Sequence, residues 1–230
     1  MPTSGQARTQ TNIAGVQLSR MISTSDKRVG GTGIFTCLLL TTLAVSSCGG
    51  ADENKGRGVS AAQVCDSTLD SSAQSALRKI TRREKFEEPH RFNVSRAVES
   101  LRKSKRTDDC TIFPTEDGDT PDIQVNFDVR DEVPDWEKEG ARNGETFYDA
   151  GALTRATKNG VDIFFTCHTA DQKGGSGVVK GDLWSPAATT KEDHYRLVTI
   201  LNSISRSLAG ELGCGSETRL HKRVPQQAHG

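Results

Sequence analysis

The residues of this chain best suited to chemistry are its six cysteines, together with a few histidines and closely spaced carboxylates. A thiol can bind zinc, attack an ester, accept an acyl group or join a second thiol. Zinc sites draw on near-neighbour pairs such as C-x2-C, and Cys37, Cys48, Cys65, Cys110, Cys167 and Cys214 offer none. Cys167 is followed by His168, the residue types of a thiol nucleophile and its base. Both fall in an alternating apolar run, where neighbours face opposite sides and cannot share a proton. His194 sits between Asp193 and Tyr195, and spacing alone names no partner for it. Glu116, Asp117, Asp119 and Asp122 crowd oxygen ligands of the kind calcium takes. The EF-hand order fails at Pro121, so the stretch reads as a solvated turn. Gly174-Gly175-Ser176-Gly177 lacks the G-x-S-x-G spacing of a nucleophile elbow. Zincin, phosphate-loop and dinucleotide motifs are missing from the sequence. A carboxylate pair acting as acid and base would be assembled in space, and distance along the chain does not select one. The sequence therefore predicts no catalytic residue, no metal and no cofactor.

Charge narrows the classes further. Thirty basic side chains balance thirty acidic ones, which argues against a nucleic-acid partner, since that needs a basic face. Only 5% of residues are aromatic, and Trp136 and Trp184 stand far apart, so no stacking platform is spelled out.

Two of the cysteines belong to an unusual N-terminal segment. Residues 29–51 carry no charge, Lys27 and Arg28 stand just before them, and residues 34–45 form an apolar centre. A basic flank, a short apolar core and small residues at its end describe a secretory signal. The core is about a dozen residues, short of the roughly 20 that a spanning helix needs. Residues 1–20 are polar and unlike the start of a signal, so Met21 is the expected true start. The small residues Ser46 and Ser47 run directly into Cys48.

Val45-Ser46-Ser47-Cys48, supported by Leu43 and Ala44, resembles the lipobox of bacterial lipoproteins. Serine before the cysteine is a mild departure from the commoner glycine or alanine. The resemblance covers about the first fifth of the chain. It implies that the Cys48 thiol receives a diacylglycerol, that residues 1–47 are removed as a signal peptide, and that the new amine is acylated in many species. Two or three acyl chains, at about 0.8 kcal/mol per buried methylene, hold a protein durably where one does so only marginally. The removed segment carries Arg8, Arg20, Lys27 and Arg28 against Asp26, leaving a mildly acidic chain with no general attraction for anionic lipid. Lipid alone would then hold it to the extracytoplasmic face of the cell membrane. The spread cysteines and the Cys65-Asp66-Ser67-Thr68-Leu69 start are similar in layout to small lipoproteins of high-GC Gram-positive bacteria, a likeness that implies no activity.

Cys65, Cys110, Cys167 and Cys214 remain. An even number in an exported chain implies disulfides. Cys65–Cys110 with Cys167–Cys214 is the favoured pairing, each bridge tying a helix flank to a strand. The rival joins Cys110 to Cys167 and Cys65 to Cys214, and spacing does not exclude it.

The elements that position these residues follow from periodicity. Leu69, Ala73, Ala76, Leu77 and Ile80 recur at helical spacing. Asp70 or Ser71 caps that helix, which is expected to run toward Glu87 before Pro89. Asn93 precedes a second stripe, Val94, Ala97, Val98 and Leu101. Its opposite face, with Arg96, Arg102, Lys103, Lys105 and Arg106, reads as a solvated basic face. The period then becomes two: residues 123–130 alternate most cleanly, with 110–113, 161–168 and 178–184 as further strands. Residues 114–121 and 131–146 read as polar loops. Thr190 and Asp193 are spaced like a capping box for a long last helix that ends at Gly213.

Without long crossovers the sheet should be mostly antiparallel. The expected fold is therefore α+β: an antiparallel sheet with two N-terminal helices and one long C-terminal helix packed on one face. The expected organisation is a signal over 1–47, a lipidated flexible tether over 48–62, one domain over 63–218 and a loose tail over 219–230. The expected role is a non-catalytic binding module for an envelope protein or small ligand, with Trp136, Phe147, Tyr148 and Trp184 as contact aromatics. The alternatives are a cell-envelope hydrolase using paired carboxylates and a small solute-binding lipoprotein.

Overall fold

The computed structural model describes residues 58–104, 106–107, 109–115, 118–135, 144–168, 177–223 and 225–228. Residues 1–57 with Cys48, Trp136, Glu116, Asp117, Lys105 and residues 174–176 lie outside them.

The alternation over 123–130 becomes the centre of an eight-stranded antiparallel sheet of order β1-β2-β3-β4-β8-β7-β6-β5. Its strands are β1 (Val59–Ser60), β2 (Lys85–Glu87), β3 (Cys110–Pro114), β4 (Ile123–Arg130), β5 (Thr146–Tyr148), β6 (Leu153–Ala156), β7 (Gly160–Thr166) and β8 (Val178–Trp184). Register stacks Val125 beside Leu183 and Val161, and Phe127 beside Gly181 and Ile163. These residues face inward and, Gly181 apart, form a fully buried row. A Cβ added at Gly181 would stand 2.7 Å from the Phe127 ring and 3.0 Å from Ile163. Glycine there is what lets the phenylalanine lie across the middle strand.

Three helices complete the fold among the described residues: α1 (Ser71–Thr81), α2 (Val94–Ser104) and α3 (Lys191–Leu212). Helix α3 is buried at thirteen positions from His194 to Leu212, because it lies between the sheet and the other two helices. Thr190 and Asp193 make the expected capping box, and Gly213 closes the helix at φ 87°. Asp70 caps α1 by accepting from the Ala73 N–H, and Asn93 Oδ1 accepts from Arg96 N at α2. Asp70 also meets Arg206 of α3 at 2.9 Å, while Ser203 of α3 accepts from Asp70 N. One acidic residue thus both starts α1 and fastens it to α3.

The disulfides are Cys65–Cys110 and Cys167–Cys214, spanning 45 and 47 residues. On a chain-entropy model, closing a loop of that length contributes about 4 kcal/mol. Glu88 braces the first bridge, accepting from Cys65 N at 3.1 Å and from Phe92 N at 2.8 Å. Burial pushes the Glu88 carboxyl above its ordinary range despite those two donors.

Three expectations give way. Helix α1 stops at Arg82, which takes a left-handed conformation (φ 57°), and residues 85–87 are a strand rather than helix. The tether does not reach residue 62: Val59 and Ser60 pair with Phe86 and Lys85, and Ala61 and Val64 are buried. The segment after 218 is not loose where it is described. Leu220 packs on the core, Pro225 is buried, and Gln227 bridges to Tyr148. Both ends of the domain are short pieces of backbone completing a sheet edge, too short to show a period.

Candidate functional site

The outer face of the sheet, away from the helices, carries the densest group of polar side chains. Alternation sends Arg155 of β6, Asp162 of β7 and Asp182 of β8 to this face, and register sets them in one row. Lys180, two residues before Asp182, points the same way. Arg155 reaches Asp162 at 2.6 Å and Glu145 at 3.1 Å. Lys180 lies 2.9 Å from both Asp162 and Asp182. Arg155, Asp162 and Glu145 side chains are each about a tenth exposed, so these ions are largely withdrawn from water.

Two carboxylates side by side cannot be ionised equally. Burial raises Asp162, but its hydrogen bonds with Asp182, Arg155 and Lys180 outweigh that and hold it below the ordinary range. Burial and then the Asp162 neighbour raise Asp182, which sees only Lys180 in compensation. Burial lowers Lys180, and its two aspartates more than reverse that, so it stays cationic. The row is a charge cluster in which, as pH falls, Asp182 takes up a proton before Asp162. Such a split is what acid and base pairs need. Here, however, the more acidic member, Asp162, is 7% exposed and already held by two cations.

Beside this row a half-open groove of about 970 Å³ runs along the β5–β6 hairpin, between residues 133–135 and the C-terminal residues Gln227 and Ala228. That volume is within the range of small-molecule and peptide sites. The groove meets the charge cluster at Glu145, which lines the groove and pairs with Arg155. Its far wall is a short added strand: Ala228 N donates to Phe147 O at 2.9 Å and Asp149 N to Gln226 O at 2.8 Å.

Of the expected contact aromatics, Trp136 lies outside the described residues, and Phe147, Tyr148 and Trp184 do not form one patch. Phe147 and Tyr148 are neighbours on a strand and therefore face opposite ways. Phe147 is half-buried on the outer face beside Arg155. Tyr148 is 7% exposed and lies toward α3, where burial, then Glu192 and Tyr195, push its hydroxyl above the usual range. Trp184 is half-buried at the far end of β8, paired with Gly160 and Gln124. Cys65, Cys110, Cys167 and Cys214 are all in cystines. His168 is exposed and pairs with Glu217 at 2.9 Å. His194 is buried, with Nε2 3.3 Å from the Lys158 carbonyl. Asp122, from the acidic stretch, meets Arg83 at 3.3 Å, and burial raises its carboxyl. Among the described residues no three His, Cys, Asp or Glu side chains gather as a metal site would require. No described helix is long and apolar enough to cross a membrane.

Comparison with protein-family models, curated proteins and solved structures finds no match to this chain.

Proposed function

We propose that this chain is an extracytoplasmic lipoprotein, anchored by acyl groups on Cys48, whose α+β domain is a non-catalytic binding module of the cell envelope. The observation that carries the reading is the division of labour among the cysteines. The four inside the fold are spent in two cystines, while Cys48 follows an apolar leader directly. Cystines persist in oxidising compartments, which is where a lipidated cysteine would display the domain. Strand β1 starts at Val59, so the stretch from Cys48 is about ten residues, with a typical reach of roughly 17 Å. The domain would work close to the headgroups. Its binding surface is the groove on the β5–β6 hairpin, with Phe147 beside it.

The Asp162–Asp182 pair is the one observation that favours a hydrolytic alternative. Fractionating bacteria that express the wild type and Cys48→Ala tests the anchoring: the wild type sediments with membranes and the variant does not. Wild type found in the cytosol with its leader attached would overturn the reading. Turnover of envelope polysaccharide by the purified protein, lost in Asp182→Asn, would replace the binding module with the hydrolase.

A further inference from the structure

The C-terminal segment occupies the β5 edge as a ligand would. It adds itself antiparallel to β5 through two backbone hydrogen bonds, Ala228 N to Phe147 O and Gln226 O from Asp149 N. Tyr148 and Gln227 are register partners between them. Gln226, Gln227 and Ala228 are exposed, and Pro225 alone is buried among them. Arg223 meets Asp149 at 3.3 Å, but both side chains remain more than half exposed. An exposed pair of this kind is worth little. This segment thus covers the β5 edge through its backbone. If it left, Phe147 O and Asp149 N would be open beside the groove of about 970 Å³. An open edge is a template for pairing with an extended chain.

We propose that the β5 edge is a docking site for an extended, basic segment of another polypeptide, and that residues 225–228, with Arg223 on Asp149, are an internal ligand which that segment displaces. The inference rests on the binding-module reading and names its partner class. The seated tail shows the accepted geometry: three residues antiparallel to β5. The charge requirement comes from the same place. Asp135, Glu145 and Asp149 line the groove, as does Arg219 at the start of the C-terminal segment, and Arg223 of that segment meets Asp149. A partner would place a basic residue three positions before the first paired residue, as Arg223 precedes Gln226.

A tethered segment competes at an effective concentration in the millimolar range. A free peptide is therefore expected to bind the wild type poorly and a variant with a loosened tail well. The probe is a labelled peptide of residues 219–228, titrated against the full chain and against Arg223→Ala/Ala228→Pro. That variant loses the ion pair and the N–H that reaches Phe147. It is expected to bind the peptide about tenfold tighter than wild type. The same peptide N-methylated at the position of Ala228 cannot donate to Phe147 O and should lose that gain. Both measurements leave β5, Glu145 and Asp149 unaltered, and a matched thermal melt checks the variant. Equal binding by the two proteins, insensitivity to N-methylation, or no binding at millimolar peptide overturns the proposal. So does concentration-dependent dimerisation of the wild type that the variant lacks, which would assign the edge to a second copy's tail. None of these outcomes touches membrane fractionation through Cys48, so the two readings fail separately.

Discussion

Asp162 and Asp182 occupy matching positions on neighbouring strands and yet behave oppositely, because two cations reach one and a single cation serves both. The consequences for stability differ in sign. Asp162 is depressed, so its contribution is present above the ordinary carboxylate range and is lost as pH falls through its lowered folded value. Asp182 is raised, so ionising it costs stability: the cost is felt fully above its raised folded value and vanishes below the ordinary one. Asp182→Asn should therefore be as stable as wild type or more so at neutral pH. That advantage should fade to nothing as pH falls through the carboxylate range. Asp162→Asn takes from Arg155 and Lys180 the carboxylate they share, leaving Glu145 to the first and Asp182 to the second, and should cost about 1.5–3 kcal/mol at neutral pH, the usual range for hydrogen bonds to charged groups. Urea unfolding of the three proteins across a pH series checks both. A neutral-pH loss on Asp182→Asn as large as that on Asp162→Asn would refute the assignment of charge.

At the scale of elements, the fold turns on the crossing of β4, β8 and β7 under α3. Gly181 leaves the space that Phe127 fills there. Gly181→Ala should destabilise by about 1–3 kcal/mol, the cost of overpacking a tight core, read as a lowered urea midpoint at unchanged slope. An unchanged midpoint would show that the ring moves aside freely. The long elements and their caps were legible before any coordinates: Asp70, Asn93, Thr190 and Gly213 act where their residue types direct. So was the alternation of β3, β4, β7 and β8. Strands β1, β2, β5 and β6 have two to four residues, too few for a period to emerge. Arg82 ends α1 in a left-handed conformation without the glycine that would have signalled a stop. The charge cluster was legible only in part. Alternation marks Asp162 and Asp182 as outward, but their adjacency depends on cross-strand register, a property of pairing between distant segments. Phe147 and Tyr148 show the reverse failure, being adjacent in sequence and separated by the pleat.

For the whole molecule, chemistry is divided between two ends of the chain's economy of thiols. Four are locked into bridges that hold α+β layers together, each closing a loop of similar length in one half of the domain. A fifth, Cys48, follows an uncharged, apolar run and is the proposed point of attachment to lipid. The sixth, Cys37, belongs to the segment that is expected to be removed. This account requires export, oxidation and lipidation of one polypeptide, and a single mass reports all three. Intact mass spectrometry of the protein extracted from bacterial membranes, without reductant, should give a species that begins at Cys48, carries diacylglycerol, and is four hydrogens lighter than the reduced chain. A species that retains residues 1–47, or begins at Cys48 with an unmodified thiol, would contradict it.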